Sequence, residues 1–264
     1  MLKKILYITG WVVLLGGVMS LLGFAEVKRN ATLCKMVDIR IMQHDSDFYI
    51  TPNEVRKLIE EQQGDVVGKS MDKINVHKIE QMLGNNPFIA DAEVYATLDG
   101  NLEVRLVQKK PIVRIINNDD ESFYIDSAGS IVPLSNNYAP KVLIVNGNIN
   151  EPYSMYNTRN VKQMIHDTSV HSLLPGIYKL ATYIRKNTFW NSQVTQVYID
   201  TARDFCLVPR VGNQRIILGD TTNMEQKFNR LWVLYHNGLT ATGKWNDYTT
   251  INLKFNHQIV CTKK

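Results

Sequence analysis

The residues with the clearest potential for chemistry lie between positions 64 and 73. Ser70 and Lys73 have the S-x-x-K spacing of penicillin-recognising enzymes, in which the serine is the nucleophile. The companion S-D-N and K-T-G elements are absent from the chain. The stretch from Gly64 to Ser70 is similar to a phosphate-binding loop, but it has three residues between its glycines where the motif requires four. We therefore interpret it as a loop that joins two helices.

Recognisable metal-binding motifs are also missing from the sequence. The six histidines are scattered, and neither His77 with Glu80 nor His166 with His171 has the spacing of a zinc site. Three acidic residues at 119–121 precede a predicted strand, but the other ligand positions of a calcium loop are absent. The sequence thus predicts a protein with no catalytic centre, no metal and no cofactor.

Length and composition limit the class of protein further. The chain has 264 residues, of which 44% are hydrophobic and 21% charged, so it is long enough to bury the cores of two domains. The formal net charge is +5, and two of the basic residues, Lys3 and Lys4, precede an apolar run. The balance elsewhere gives no reason to expect nucleic-acid binding.

The apolar run covers residues 5–24 and contains no charged side chain. A helix of that length spans about 30 Å, the thickness of the hydrocarbon core of a bilayer. Gly23 and Ala25 would suit signal cleavage, but the run is longer than a typical signal, so we favour an uncleaved anchor. We predict a cytoplasmic tail at 1–4, one transmembrane helix at 5–24, a juxtamembrane linker at 25–34 and domains outside the cytoplasm.

The cysteines Cys34, Cys206 and Cys261 form no C-x-x-C pair. Disulfides can persist outside the cytoplasm, but an odd number of cysteines leaves one thiol over. We interpret all three as small buried hydrophobic residues, with a bridge between two of them as the alternative.

Residues 35–108 carry the signals of a small α+β unit. Alternating apolar residues predict a strand at 37–41. Thr51 and Glu54 form a capping box that starts a first helix, and Asn75 caps a second. Two further strands follow, which completes the order βααββ. This order resembles a POTRA domain, a module that binds polypeptide partners outside the cytoplasm.

The last two strands of this unit are predicted to form a hairpin. The first strand would bury alternate residues from Ala90 to Leu98, and the second would return from Leu102. Asp99 and Gly100 are predicted to form a two-residue turn, because positive φ angles suit these residue types.

Residues 109–264 form a larger unit that is richer in strands. Strands are predicted at 112–116, 123–125, 131–134, 142–145, 194–199, 205–208, 215–218 and 249–261. Helices are predicted at 158–166 and 175–186. A third helix begins with a capping box from Thr222 to Glu225, includes Trp232 on its apolar side and ends at Gly238. The fold class is therefore α+β, with a β-rich second domain and flanking helices.

Several stretches taken together resemble the FtsQ/DivIB family of bacterial cell-division proteins. The similar segments are 79–94, which includes an N-P-F motif, 97–104, 108–112, a D-x-x-G turn at 126–129, 217–219 and 251–255. The resemblance covers nearly the whole chain. It implies a membrane helix, a POTRA domain and then an FtsQ-type β domain.

The resemblance implies a non-enzymatic scaffold of the division machinery, located in the cytoplasmic membrane at the septum. In the family, such scaffolds recruit the bitopic coiled-coil proteins FtsB and FtsL, and the C-terminal strand pairs with FtsB. That strand maps here to about Thr250–Val260, as a sheet edge with unpaired backbone groups. The POTRA domain would contact other division proteins. Phe255 is the expected anchor, and the expected partner-binding residues are Thr250, Asn252, Lys254, Phe255 and His257.

Two other functions remain open at this point. A membrane-anchored cell-wall enzyme would use Ser70 and Lys73, and it predicts that Ser70→Ala abolishes function in a folded protein. A POTRA-bearing secretion or assembly factor would ordinarily carry tandem POTRA repeats, whereas this sequence shows one such unit.

Overall fold

The computed structural model describes residues 7, 10–20, 32–42, 49–167 and 171–264. The chain divides into two compact units, residues 1–108 and 109–264. Within the predicted transmembrane segment, Tyr7 and residues 10–20 are helical. The rest of that segment, the predicted tail at 1–4 and linker residues 25–31 lie outside the described residues. In the part of the chain that is described, no helix has both the length and the apolar character needed to cross a membrane.

Within the first unit, the described residues of 32–108 form two α-helices and a three-stranded sheet. Its strands are β1 (Met36–Ile41), β2 (Ile89–Ala96) and β3 (Asn101–Gln108), and its helices are α1 (Pro52–Gln63) and α2 (Val76–Gly84). The sheet has the order β1-β3-β2, with β1 parallel and β2 antiparallel to β3. The predicted order βααββ is confirmed.

Both helices of this unit begin where the sequence predicts. The Thr51 side chain accepts a hydrogen bond from the Glu54 N–H at 3.3 Å, and the Glu54 carboxylate accepts one from the Thr51 N–H at 2.7 Å. The Asn75 side chain caps α2 by accepting from the Lys78 N–H at 2.9 Å. These caps satisfy N–H groups that have no partner inside the helix. The helices and the sheet share one core, which includes Val55, Ile59, Ile79, Leu83, Leu102, Val104 and Leu106.

The hairpin between β2 and β3 differs from the prediction in two ways. A register shift between Ile89 and Asp91 changes the alternation of β2, so Ala90 is exposed. The Gly100 N–H donates to the Thr97 carbonyl at 3.1 Å, and Gly100 has a φ of 88°. The Thr97 N–H also donates to the Asn101 carbonyl at 2.9 Å, so the hairpin closes around the three-residue loop 98–100, in which Leu98 is 89% exposed.

The second unit contains a nine-stranded sheet with the order β12-β11-β10-β9-β8-β7-β4-β5-β6. Three neighbouring pairs are parallel, namely β4 with β7, β7 with β8 and β10 with β11, and the others are antiparallel. The strands are β4 (Pro111–Ile116), β5 (Ser122–Asp126), β6 (Ile131–Pro133), β7 (Leu143–Gly147), β8 (Val194–Ile199), β9 (Phe205–Pro209), β10 (Arg215–Gly219), β11 (Tyr248–Asn252) and β12 (Val260–Lys263).

Helices of the second unit pack on this sheet to form one hydrophobic core. They are α3 (Tyr153–Tyr156), α4 (Val161–Met164), α5 (Leu174–Lys186), α6 (Thr188–Gln193) and α7 (Met224–Val233), which continues into a π-helix (Leu234–Thr240). The core residues from α5 to the end of the chain include Ile177, Leu180, Ile184, Trp190, Phe228, Leu231, Tyr235, Ile251 and Leu253.

Three helix predictions for this unit are wrong in detail. The segment predicted as one helix at 158–166 contains only the short helix α4, which Asn160 caps. The Thr222 hydroxyl donates to Asp220 at 2.7 Å instead of capping α7, which begins after Asn223 in a left-handed conformation. Gly238 does not end the helix, since it lies inside the π-helical turn.

Candidate functional site

The predicted C-terminal strand at 249–261 is two strands, so the prediction of one continuous strand is wrong. β11 and β12 pair antiparallel, and residues 253–259 connect them. After β11, the Leu253 N–H donates to the Ile217 carbonyl at 2.8 Å and the Lys254 N–H donates to the Asn252 side chain at 3.0 Å. The second bond turns the chain away from the strand direction. His257 then adopts a φ of 62°, which strand residues do not.

Two of the predicted partner-binding residues lie on the inner strand of this hairpin. Thr250 and Asn252 belong to β11, which has β10 on one side and β12 on the other. The Thr250 hydroxyl donates to that of Thr262 on β12 at 2.9 Å. Thr250 and Asn252 therefore do not lie on the outermost strand of the sheet. Their role in partner binding stays a prediction.

The outermost strand at this end of the sheet is β12. Among the described strands, only β11 pairs with it. The Lys264 N–H donates to the Asp247 carbonyl at 3.0 Å, toward β11. Because N–H groups alternate in direction along a strand, that of Thr262 also points toward β11, and those of Cys261 and Lys263 point away. The outer side of β12 thus presents backbone donors and acceptors to solvent.

The loop at 253–259 is fixed to helix α7 by one side chain. The Arg230 guanidinium donates to the carbonyls of Phe255 at 2.5 Å, Gln258 at 2.9 Å and Leu253 at 3.2 Å. This arrangement satisfies three carbonyls that lie outside the sheet ladder. It holds the loop while the Phe255 side chain remains 47% exposed. Sequence analysis missed Arg230, because no local pattern links it to a loop that begins 23 residues later.

Lys254 is tied back to the sheet. Its ammonium donates to the Asp204 carboxylate at 2.6 Å, and this hydrogen bond raises the pKa of Lys254. The aliphatic part of Lys254 lies close to Gly219, which has a φ of 76°, and a Cβ atom at that glycine would lie 2.7 Å from the Lys254 Cγ. The backbone of β10 therefore accommodates this side chain.

An open groove of about 420 Å³ lies between α7 and the loop. Sequence analysis missed it, although it contains the predicted residue His257. The π-helix and α7 bury Phe228, Leu231 and Tyr235, whereas Trp232 is 45% exposed and its ring stacks on His236 at 4.0 Å. The prediction that Trp232 lies on the buried side is thus wrong. The groove is lined by Asn229, Arg230, Val233, Leu234, His257, Gln258 and Ile259.

The residues first considered for chemistry lie elsewhere. Ser70 precedes a 3₁₀ turn, Met71–Lys73, in the first unit. The acidic residues 119–121 form a turn in which the Asn117 side chain accepts from the N–H groups of Asp119 and Glu121. No group of three metal-ligating acidic, histidine or cysteine side chains occurs among the residues described.

The cysteines are free, with Cys34 and Cys206 buried and Cys261 partly exposed. Burial raises the pKa of all three thiols, and for Cys206 burial together with the nearby Asp200 raises it to about 11. The interpretation of Cys34 and Cys206 as buried hydrophobic residues is confirmed, and such thiols are unreactive near neutral pH.

Two family models match the chain in consecutive regions. A model described as POTRA-like domain matches residues 32–107, and a model described as FtsQ/DivIB, C-terminal related, matches residues 110–262. The second match alone covers more than half of the chain. No curated protein matches the sequence.

Proposed function

The chain belongs to the FtsQ/DivIB family of division proteins, and from this membership we propose that it is a non-enzymatic scaffold that recruits FtsB- and FtsL-type partners. The family match supports a role in division, and the open strand β12 suggests how a partner binds. In this proposal, an extended FtsB-type segment adds to the sheet beside β12, so that backbone hydrogen bonds supply much of the affinity.

The observation that carries the proposal is the direction of the backbone groups on β12. The N–H and C=O groups of Cys261 and Lys263 point away from β11, and an added strand would satisfy them. The exposed ring of Phe255 lies in the loop that leads into this strand and would anchor an apolar side chain of the partner. Thr250, Asn252 and Lys254 would act indirectly, by holding β12 and its loop in place.

We extend the proposal to the location of the protein in the cell. The twenty uncharged residues at 5–24 follow Lys3 and Lys4, which favours a single membrane anchor with a cytoplasmic N-terminus. The two folded units would then lie outside the cytoplasm at the septum, and the POTRA-like unit would contact further division proteins there.

Co-purification from detergent-solubilised membranes tests the strand-pairing proposal. Lys263→Pro removes one outward N–H group, whereas the matched control Lys263→Ala removes the side chain and keeps that group. We expect FtsB- and FtsL-type proteins to co-purify with the wild type and with Lys263→Ala, and to be depleted from Lys263→Pro. Thermal unfolding of the full chain must first show that both variants are folded. Undiminished recovery with Lys263→Pro would place the partner elsewhere.

A second pair of variants tests the anchor. Phe255→Glu places a charge where an apolar contact is proposed, and Phe255→Leu keeps an apolar side chain. We expect Phe255→Glu to lose the partner and Phe255→Leu to retain most of it. Equal recovery with both would remove Phe255 from the site but leave strand pairing intact.

A further inference from the structure

A second cleft in the larger unit shares no lining residue with the C-terminal edge. It has a volume of about 660 Å³ and lies where the parallel strands β4, β7 and β8 begin. The last turn of α5 and the residue after β9 complete its wall. This volume lies within the range of about 300–1,000 Å³ that small-molecule sites have.

The charges around this cleft have one sign. Four basic side chains line it, from Arg114, Lys141, Arg185 and Arg210, and no lining residue is acidic. In the described part of the chain, none of the four belongs to a salt bridge. Their charges therefore add within one concave space, which attracts anions.

Three of these side chains are already held in position by uncharged partners. The Arg185 guanidinium donates to the Pro111 carbonyl at 2.9 Å, and that of Arg210 donates to the Ser192 carbonyl at 2.8 Å. The Arg114 guanidinium donates to the Ser122 hydroxyl at 2.7 Å. A guanidinium has five N–H donors, so each retains donors for a ligand after making these bonds. Fixed cations of this kind lose little freedom when they bind an anion.

We propose that this cleft binds a small ligand that carries a phosphate or pyrophosphate group. Guanidinium forks match the oxygens of such groups and bind them through paired, charge-assisted hydrogen bonds. The four cations line a single cavity, which suits the closely grouped oxygens of a phosphate better than the spaced carboxylates of an acidic peptide. An apolar floor would accommodate an uncharged part of the same ligand, and it includes Ile112, Val142, Leu143, Ile184 and Val194. The phosphate could belong to a lipid headgroup or to a soluble ester.

Titration calorimetry on the full chain in non-ionic detergent tests this proposal. The probes are inorganic pyrophosphate and dihexanoyl phosphatidylglycerol, with zwitterionic dihexanoyl phosphatidylcholine as the comparison lipid. The cleft variant is Arg185→Gln with Arg210→Gln. The matched control is Lys162→Gln with Lys179→Gln, which removes the same charge from exposed positions of the same unit outside the cleft.

We expect at least one anionic probe to bind the wild type, and the cleft variant to bind it about tenfold more weakly or worse, with the control unchanged. Binding of pyrophosphate alone would indicate a soluble phosphate, and preference for the anionic lipid would indicate a headgroup. If the double variant does not fold, Lys141→Gln replaces it, with an expected weakening of about fivefold.

Three results would overturn the proposal. One is that neither anionic probe binds the wild type. Another is that the control variant weakens binding as much as the cleft variant, which would show a dependence on net charge only. The third is that a glutamate decapeptide binds the wild type more tightly than either phosphate probe does and loses that binding in the cleft variant, which would assign the cleft to an acidic peptide.

Discussion

The two edges of the nine-stranded sheet differ in burial and in cover. At one edge, β6 has three residues, and Ile131 and Val132 are buried. Just before it, the Val161 N–H donates to the Gly129 carbonyl at 2.8 Å, so a neighbouring segment covers that end. At the other edge, β12 has no buried residue, and Val260 is 42% exposed.

The difference indicates that the β12 edge is the more accessible of the two to a partner strand. Unpaired strand edges promote aggregation, and proteins commonly shorten, cover or charge them. β6 is short, ends at Pro133 and is partly covered by a neighbouring segment. Of the four residues of β12, Lys263 alone is charged. An edge left open in this way is a suitable acceptor for a strand from another chain.

Truncation of one apolar residue at each edge should have unequal costs. Ile131 belongs to the hydrophobic core, so we expect Ile131→Ala to lower the free energy of unfolding by about 2–5 kcal/mol. Val260→Ala should change it by about 0.5 kcal/mol or less, because the side chain is already solvated. Denaturant unfolding of the full chain measures both. Similar costs at the two positions would contradict the contrast between a closed and an open edge.

The turn that precedes β6 offers a second test. The buried Asp126 carboxylate accepts from the N–H groups of Ala128 at 3.0 Å and Ser130 at 2.6 Å. Asp126→Ala leaves both groups without this acceptor and should lower the free energy of unfolding by about 1–3 kcal/mol. Asp126→Asn keeps an acceptor oxygen and should retain the turn. If both variants lost the same stability, the turn bonds would not support this edge.

The contribution of Asp126 to stability should depend on pH, and the direction of this dependence follows from the shift of its pKa. Burial raises the pKa of Asp126, and this outweighs the opposing hydrogen bonds and the nearby Lys109. The folded state therefore holds the proton more tightly than the unfolded state does. The contribution of Asp126 to stability is greatest below its unfolded pKa and is lost as the pH rises through the raised folded value. Asp126→Asn should remove this dependence, which chemical denaturation from pH 3.5 upward would reveal.

At the open edge, loss of Arg230 should change amide exchange in the loop at 253–259 more than it changes the free energy of unfolding. Arg230→Ala removes three bonds to loop carbonyls, of which those of the exposed residues Phe255 and Gln258 can be solvated by water, so we expect a loss of about 1–2 kcal/mol. Amide hydrogen exchange should accelerate in residues 253–259 and remain unchanged in β6. Arg230→Lys, which keeps the charge without the fork, should give an intermediate rate. Unchanged exchange in the loop would show that Arg230 does not fix it.

The smallest expected effect concerns thiol reactivity and leaves stability unchanged. Cys261 lies on the open strand and is partly exposed, whereas Cys206 is buried with its pKa raised to about 11. A thiol reagent at neutral pH should modify Cys261 slowly and Cys206 only after unfolding, because the thiolate is the reactive form. Mass spectrometry of labelled peptides distinguishes the sites. Equal labelling in the native protein would contradict the burial difference.

The sequence predicts helices and strands correctly where the residues that determine them lie close together in the chain. The capping box at Thr51 and the cap at Asn75 depend on residues within three positions of each other, and both helices begin there. Strands with strong alternation, such as 194–199, were also predicted correctly. The membrane segment stays a prediction, since eight of its twenty residues lie outside the described residues.

The features that the sequence did not predict depend on contacts between residues that lie far apart in the chain. In residues 249–261, apolar side chains occupy the alternate positions 251, 253, 255, 259 and 261, and neither glycine nor proline marks the turn inside this stretch. The bonds of Asn252 and Arg230 and the positive φ of His257 show where the strand breaks. The exposure of Trp232 likewise follows from the packing of its neighbours Leu231 and Tyr235. Strand pairing and loop anchoring depend on tertiary contacts, so local patterns in the sequence do not reveal them.

The most direct test of partner binding compares the two edges by photo-cross-linking in native membranes. A photo-reactive phenylalanine derivative replaces either Val260 on β12 or Leu134 next to β6, which are 42% and 45% exposed. Neighbouring side chains on paired strands lie within about 5.5 Å of each other, so a strand added to β12 would be captured from position 260. We expect an adduct with an FtsB-type protein from position 260 and none from position 134. An adduct from 134 alone, or equal adducts from both, would contradict this expectation.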